Sequence, residues 1–262
     1  MDLDVTRYGP WALIAGASEG IGVSLAQCLA AAGLNLVLIA RQQRLLDSLA
    51  AEVRTAHSVQ VRVLALDLAQ PDVLERVRAA TDDVDVGLLV FNAGASCGAG
   101  PFLDAPLEAV QRMARMGPLA QATLAHHFGN RMRSRGSGGL VFMGSLAGNA
   151  GSPYVVGYGA CKAFSQLFAE GLWAELEPLG IDVLYTVLGA TDTPARRRTG
   201  IKDPPGAIVD APDAIARWAL ANLRNGPVIA PDHMAQAFRH FSGMPRREAV
   251  IAMRELLRSY QQ

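Results

Sequence analysis

Trp11-Ala12-Leu13-Ile14-Ala15-Gly16-Ala17-Ser18-Glu19-Gly20-Ile21-Gly22 is the stretch on which the fold turns. Its first five residues are continuously apolar, as in a strand covered on both faces. Gly16, Gly20 and Gly22 then allow a sharp bend, after which Ile21, Leu25, Cys28 and Leu29 recur at helical spacing until Gly33 stops the pattern. Strand, glycine turn and helix in that order form a cradle for phosphate, because free backbone N–H groups and the helix dipole favour negative charge. The same glycines also suit a tight turn with no ligand. The strand before them and the helix after them favour a nucleotide.

Further apolar runs lie at 35–40, 61–66, 87–91, 139–143, 182–188 and 227–230, with amphipathic stretches between them. Such alternation implies βαβ units with right-handed crossovers, hence an α/β fold with a doubly wound parallel sheet in three layers, Rossmann-like. The unbroken motif order points to one domain over residues 1–262. With 24 basic and 24 acidic residues the formal net charge is zero, which gives no field to recruit nucleic acid or an anionic membrane. Cys28, Cys97 and Cys161 have no metal-ligand spacing and read as reduced thiols, so no metal is expected. The start, Met1-Asp2-Leu3-Asp4-Val5, has no signal-like region, and no apolar run approaches roughly 18 residues. The expectation is a soluble cytoplasmic protein.

In Tyr158-Gly159-Ala160-Cys161-Lys162 a phenol and an ammonium stand four residues apart on an expected helix, about 6 Å apart along its axis. A cation near a phenol, whose ordinary pKa is roughly 10, favours the phenolate and makes a usable general acid/base. The spacing also fits an amphipathic helix with a solvated Lys. Its weight comes from Ser145, thirteen residues upstream at the end of an apolar strand.

Together these residues resemble the short-chain dehydrogenase/reductase superfamily in its single-domain branch. The family's Thr-Gly-x-x-x-Gly-x-Gly turn matches Ala15 to Gly22 except at its first residue, and its Asn-Ala-Gly element stands as Asn92-Ala93-Gly94. Its Ser, Tyr and Lys fall on Ser145, Tyr158 and Lys162 in the usual order. The resemblance implies hydride transfer between a nicotinamide and a carbonyl or secondary alcohol. Tyr158 would move the proton, Ser145 would bond the substrate oxygen, and Lys162 would hold the nicotinamide ribose and lower the Tyr158 pKa. The dinucleotide is then expected against Gly16, Ser18, Glu19, Gly20, Ile21, Gly22, Arg41, Asp67, Leu68, Asn92, Ala93, Gly94, Tyr158, Lys162, Gly189, Thr191 and Thr193.

At the tip of the second strand an acid would bind both ribose hydroxyls of NAD, whereas an Arg meets the extra phosphate of NADP. Leu38-Ile39-Ala40-Arg41 has no acid there, so NADP(H) is the expected cofactor and NAD the lesser one, although Glu19 stands where some NADP-preferring members carry a base. Asp67 closes the third strand, where the family binds the adenine amino group; a cap for the next helix, expected from Pro71 and Asp72, is the alternative. The resemblance places a lid at about 190–213, containing Pro194, Pro204, Pro205 and Arg196-Arg197-Arg198, which otherwise reads as a solvated basic turn. Substrate walls are expected from Ser96, Cys97, Phe102, Leu146, Tyr154, Val155 and Val156, mostly small or apolar, hence a hydrophobic substrate. A helical tail at about 232–262 is left to cover the pocket or pack on another subunit.

Two positions depart from the family. Its relay Asn, which bends a helix and keeps a water on a proton path, is replaced here by Gly117-Pro118. Proline and glycine still bend the helix, but glycine holds no water, leaving the relay to a backbone carbonyl, slower proton exchange, or a site with room for substrate. Leu188-Gly189 replaces the usual Pro-Gly. These losses keep open a dinucleotide-responsive binding protein with little turnover and a structural partner subunit; within enzymes, the same hydride geometry also permits an imine reductase. The two long helices expected at 106–134 and 154–178 correspond to the family's interface, so a homodimer or homotetramer is expected, binding a small-molecule substrate.

Overall fold

The computed structural model describes residues 3–94, 100–200, 202–203 and 206–259. Ser96, Cys97, Pro204 and Pro205 lie outside the described residues. In chain order the elements are α1 (Val5–Tyr8), β1 (Trp11–Ala15), α2 (Ile21–Ala31), β2 (Asn35–Ala40), α3 (Gln43–Ala56), β3 (Val61–Ala65), α4 (Val73–Thr81), β4 (Val86–Phe91), α5 (Leu107–Ala114), α6 (Ala120–Arg135), β5 (Gly138–Met143), α7 (Val156–Leu176), β6 (Ile181–Thr186), α8 (Pro194–Arg197), α9 (Pro212–Ala221), β7 (Val228–Ile229), α10 (Asp232–Gly243) and α11 (Arg246–Ser259).

The seven strands are all parallel, in the order β3-β2-β1-β4-β5-β6-β7. Every residue of β1, β4 and β5 is buried, as strands covered on both faces require. Leu25 and Leu29 of α2, Leu46 and Val53 of α3 and Ile215 of α9 pack on one face. Val77 of α4, Leu124 and Phe128 of α6 and Ala169 of α7 pack on the other, which completes three layers. The strand order reverses between β1 and β4, so a crevice opens beyond their carboxyl ends.

Several boundaries differ from the sequence reading by one or two residues, and three departures from it have a visible cause. The strand expected at 182–188 ends at Thr186, because the Leu188 carbonyl turns away to accept from the Leu146 amide at 2.9 Å. β7 is two residues long and follows Pro227, whose carbonyl accepts from Tyr185 N at 2.7 Å. The long helix expected at 106–134 is interrupted by a π turn over Arg115–Leu119 that contains Pro118. Proline removes a donor and crowds the carbonyl four residues back, and the wider turn re-pairs the chain through Ala120 N–H to the Arg115 carbonyl.

Gly117, at the centre of that turn, is buried against α7. A Cβ there would stand 2.9 Å from Cys161 Sγ and 3.2 Å from Cys161 Cβ. The room left by the missing side chain is therefore occupied by Cys161. Gly117→Ala should lower stability by about 1–3 kcal/mol through overpacking, and the loss should shrink when Cys161→Ala is the background. Urea unfolding of the four proteins measures this, and a Gly117→Ala protein as stable as wild type would refute the packing account.

Candidate active site

The glycine turn is shaped by contacts that a side chain would block. Gly16 has φ +94°, and a Cβ on it would stand 2.7 Å from Ala93 N. Gly20 has φ +57°, and its Cβ would meet Thr193 Cγ2 at 2.7 Å. Asn92 closes the turn from β4: its side-chain amide donates to the Gly16 carbonyl at 2.8 Å, while Asn92 N and Ala93 N both donate to the Ala15 carbonyl. No side chain caps α2, whose positive end faces the crevice. A cavity of about 610 Å³ lies over this turn. The glycines that admit close backbone approach, the uncapped helix start and the cavity's length from Arg41 to Lys162 fit a dinucleotide.

Of the residues expected to bind it, Gly16, Ser18, Glu19, Ile21, Arg41, Asp67, Leu68, Asn92, Ala93, Gly94, Tyr158, Lys162 and Thr193 line this cavity. Gly20 and Gly22 shape the turn from behind. Gly189 and Thr191 line the neighbouring cavity instead. Arg41 is exposed at the rim. Asp67 neither caps α4, which begins after Asp72 without a side-chain cap, nor presents a free carboxylate. Its two oxygens accept from Arg112 of α5, and Oδ1 also accepts from Ala69 N at 3.0 Å. Partial burial pushes its pKa up, but Arg112 and the Ala69 amide outweigh this and hold the carboxyl below the ordinary value. Arg112 lines the same cavity and carried no signal in the sequence, since its partner lies 45 residues away.

Ser145, Tyr158 and Lys162 converge where β5 meets α7. Lys162 is 7% exposed, and its Nζ donates to the Met143 carbonyl at 2.6 Å. Burial lowers its pKa from 10.5 to about 8. Nζ also stands over the Tyr158 ring, 5.6 Å from the centroid. The spacing led to the expectation that Lys162 lowers the phenol's pKa; the structure corrects this. Burial raises Tyr158 above its ordinary value, and a hydrogen bond with Ser145 offsets only part of the rise. The cation serves the Met143 carbonyl and the ring face. The Ser145 hydroxyl also accepts from Ala147 N at 3.3 Å.

Two further cavities meet at the same phenol. One, of about 580 Å³, is lined by Ser145, Leu146, Val155, Tyr158, Gly189 and Thr191, and by Met234, Met253, Leu256 and Leu257 of the C-terminal helices. The other, of about 270 Å³, is lined by Phe102, Val110, Met113, Tyr154, Val155, Val156 and Tyr158. Tyr154 holds φ +64°, a conformation that costs a side-chain-bearing residue about 1–3 kcal/mol and clusters at functional sites. The tail packs on its own chain: Phe241, Ala249 and Met253 form a small core with Ala150, and Gly189 leaves room for Met234 Sδ.

The basic run at the lid is partnered. Arg196 pairs with Asp203, Arg197 with Asp192, and Arg198 with Glu19 of the glycine turn. The last pair joins the segment after α8 to the dinucleotide cavity, which both residues line. Among the described residues no group of acids, His and Cys could hold a metal ion, and no helix is long and apolar enough to cross a membrane.

A glycine turn thus lies at the switch point of a doubly wound parallel sheet and faces a Ser-Tyr-Lys cluster. The sequence pattern of the short chain dehydrogenase family matches residues 10–203, and the chain belongs to that family. It is 33% identical over 189 residues to a 7beta-hydroxysteroid dehydrogenase of Collinsella aerofaciens, covering 72% of each chain. A solved structure of a 7beta-hydroxysteroid dehydrogenase superposes with a TM-score of 0.87 at 28% identity, over 97% of this chain and 99% of that one. A short-chain dehydrogenase from Sphingobium yanoikuyae in complex with NADPH superposes with a TM-score of 0.81 at 33% identity, over 93% and 96%. The protein is thus an oxidoreductase of the family that acts on CH–OH and C=O groups.

Proposed function

We propose that this protein interconverts a bulky, apolar ketone and its secondary alcohol with NADP(H). The observation that carries the reading is the meeting of three cavities at Tyr158, one fitted to a dinucleotide and two largely apolar. NADP(H), when bound, supplies or accepts the hydride. Tyr158 delivers the proton to the carbonyl oxygen, or removes it from the alcohol. Its raised pKa keeps the phenol protonated in the free protein, the form an acid needs. Ser145 bonds the same oxygen and stabilises charge developing there. Lys162 and the Asn92-Ala93-Gly94 segment hold the nicotinamide end, and the glycine turn holds the pyrophosphate. Arg41 meets the 2′-phosphate.

Lobes on both sides of Val155 and Tyr158 support a carbonyl with a substantial apolar group on each side. The similarity to 7beta-hydroxysteroid dehydrogenases agrees with a rigid substrate of that size. The chain works as one domain: the segment at about 190–213 acts as a lid fastened to Glu19, and the tail closes the larger lobe. Leu119 and Leu167 are more than half exposed on the helices expected to form an interface, which supports a homodimer or homotetramer.

Tyr158→Phe is expected to cut turnover at least about 10²-fold, with NADPH affinity little changed. The assay is NADPH consumption against bulky cyclic ketones, a 7-oxosteroid among them, beside small ketones. Turnover that survives the substitution would remove Tyr158 from the role of donor; a preference for small ketones would overturn the substrate class. Arg41→Asp should weaken NADPH roughly tenfold or more and NADH far less. Equal binding of both cofactors by the wild type, in a fluorescence titration, would contradict the NADP(H) assignment.

A further inference from the structure

Beyond the end of β5 the chain leaves the sheet, and its amides need partners that no strand supplies. The β5–β6 ladder stops at Met143 opposite Thr186. Side chains of β6 take over from there. Gly144 N donates to Thr186 Oγ1 at 3.1 Å, and Ser145 N donates to the Tyr185 hydroxyl at 3.1 Å. The Tyr185 hydroxyl in turn donates to the Lys162 carbonyl on α7 at 3.2 Å, with the Ser145 carbonyl at 3.4 Å. Its ring has no solvent exposure.

One oxygen therefore touches both segments whose relative placement matters: the turn that carries Ser145 and the helix that carries Tyr158 and Lys162. Gly144 makes this possible, since a Cβ there would fall on the Tyr185 ring and on the Thr186 carbonyl. A glycine before the serine and a tyrosine on the neighbouring strand thus form a matched pair. Packing alone would be satisfied by phenylalanine. The hydroxyl adds an acceptor for an otherwise orphaned amide and a donor to the helix.

We infer that Tyr185 is a positioning residue that sets the distance and orientation of the Ser145 hydroxyl relative to Tyr158. The inference rests on Ser145 and Tyr158 acting together on the substrate oxygen. Tyr185 lines none of the three cavities at the site, so it acts through the Ser145 backbone. Removing its hydroxyl leaves the Ser145 amide without that partner and frees the turn to shift. A displacement of about 1 Å at a reacting group costs up to roughly 10²-fold in rate.

The test compares wild type, Tyr185→Phe, Ser145→Ala and the double variant, measuring kcat, KM, NADPH affinity by titration, and thermal melting. Tyr185→Phe is expected to lower kcat about 10- to 100-fold, with NADPH affinity within about twofold of wild type and a melt that remains cooperative. Added to Ser145→Ala, the same change should lower kcat by less than about twofold, because no Ser145 hydroxyl remains to be aimed. Equal losses in both backgrounds would show that Tyr185 does not act through Ser145, and a Tyr185→Phe enzyme with wild-type kcat would overturn the inference outright. A loss of kcat matched by lost NADPH binding would reduce Tyr185 to a packing residue. The Ser145→Ala single variant separates the two claims: with its turnover impaired and Tyr185→Phe unimpaired, only the positioning role fails. Wild-type turnover in Ser145→Ala would sink the reacting pair and the positioning role together.

Discussion

Lys162 carries an ammonium to the end of β5, where it is 7% exposed and donates to the Met143 carbonyl at 2.6 Å. Among the described residues no carboxylate pairs with it. A charge buried without a counterion is expensive, and the fold meets part of the cost with a carbonyl dipole and the face of the Tyr158 ring. The remainder appears as a pKa lowered to about 8. Twenty-two of the 24 basic residues are Arg and only two, Lys162 and Lys202, are Lys. At a buried position that choice has a physical basis, because a guanidinium cannot shed its proton whereas an ammonium can. The arrangement ties the end of β5 to α7, and the turn after β4 passes close by. A Cβ on Gly94 would come within 3.5 Å of the Lys162 ammonium.

The elements that position this cation were legible in the sequence because they depend on short-range pattern. The apolar runs gave seven strands within a few residues, and Gly16-Ala17-Ser18-Glu19-Gly20-Ile21-Gly22 gave the cradle. The spacing of Tyr158 and Lys162 gave the shared helix face. What stayed hidden depends on side chains meeting across long sequence separations. Arg112 on Asp67, Arg198 on Glu19 and the Tyr185 hydroxyl on Ser145 N lie 45, 179 and 40 residues apart, and no periodicity marks any of them. The phenol's pKa follows the same rule: spacing shows that Lys162 is near Tyr158, but only the structure shows the burial that raises the phenol.

Gly117 joins the two kinds of information. Its identity and its proline neighbour indicated a bend, which the π turn provides. Its reason for being glycine lies across the helix interface in Cys161, one position before Lys162. The site's neighbours are thus adjusted to one another in pairs, Gly117 with Cys161 and Gly144 with Tyr185, and each glycine admits a side chain from another element. The C-terminal helices follow the same logic on a larger scale, with Met234 filling the space over Gly189 and lining the larger lobe.

The most direct test of this account is the proton affinity of Lys162 itself. With two lysines in the chain, Lys202→Arg leaves one lysine signal in protein labelled with carbon-13 lysine, and its side-chain shift can be followed against pH in the dinucleotide-free protein. The account predicts a midpoint near pH 8. A midpoint at the ordinary lysine value of 10.5 would mean that the ammonium is hydrated and that the site is not built around a buried cation.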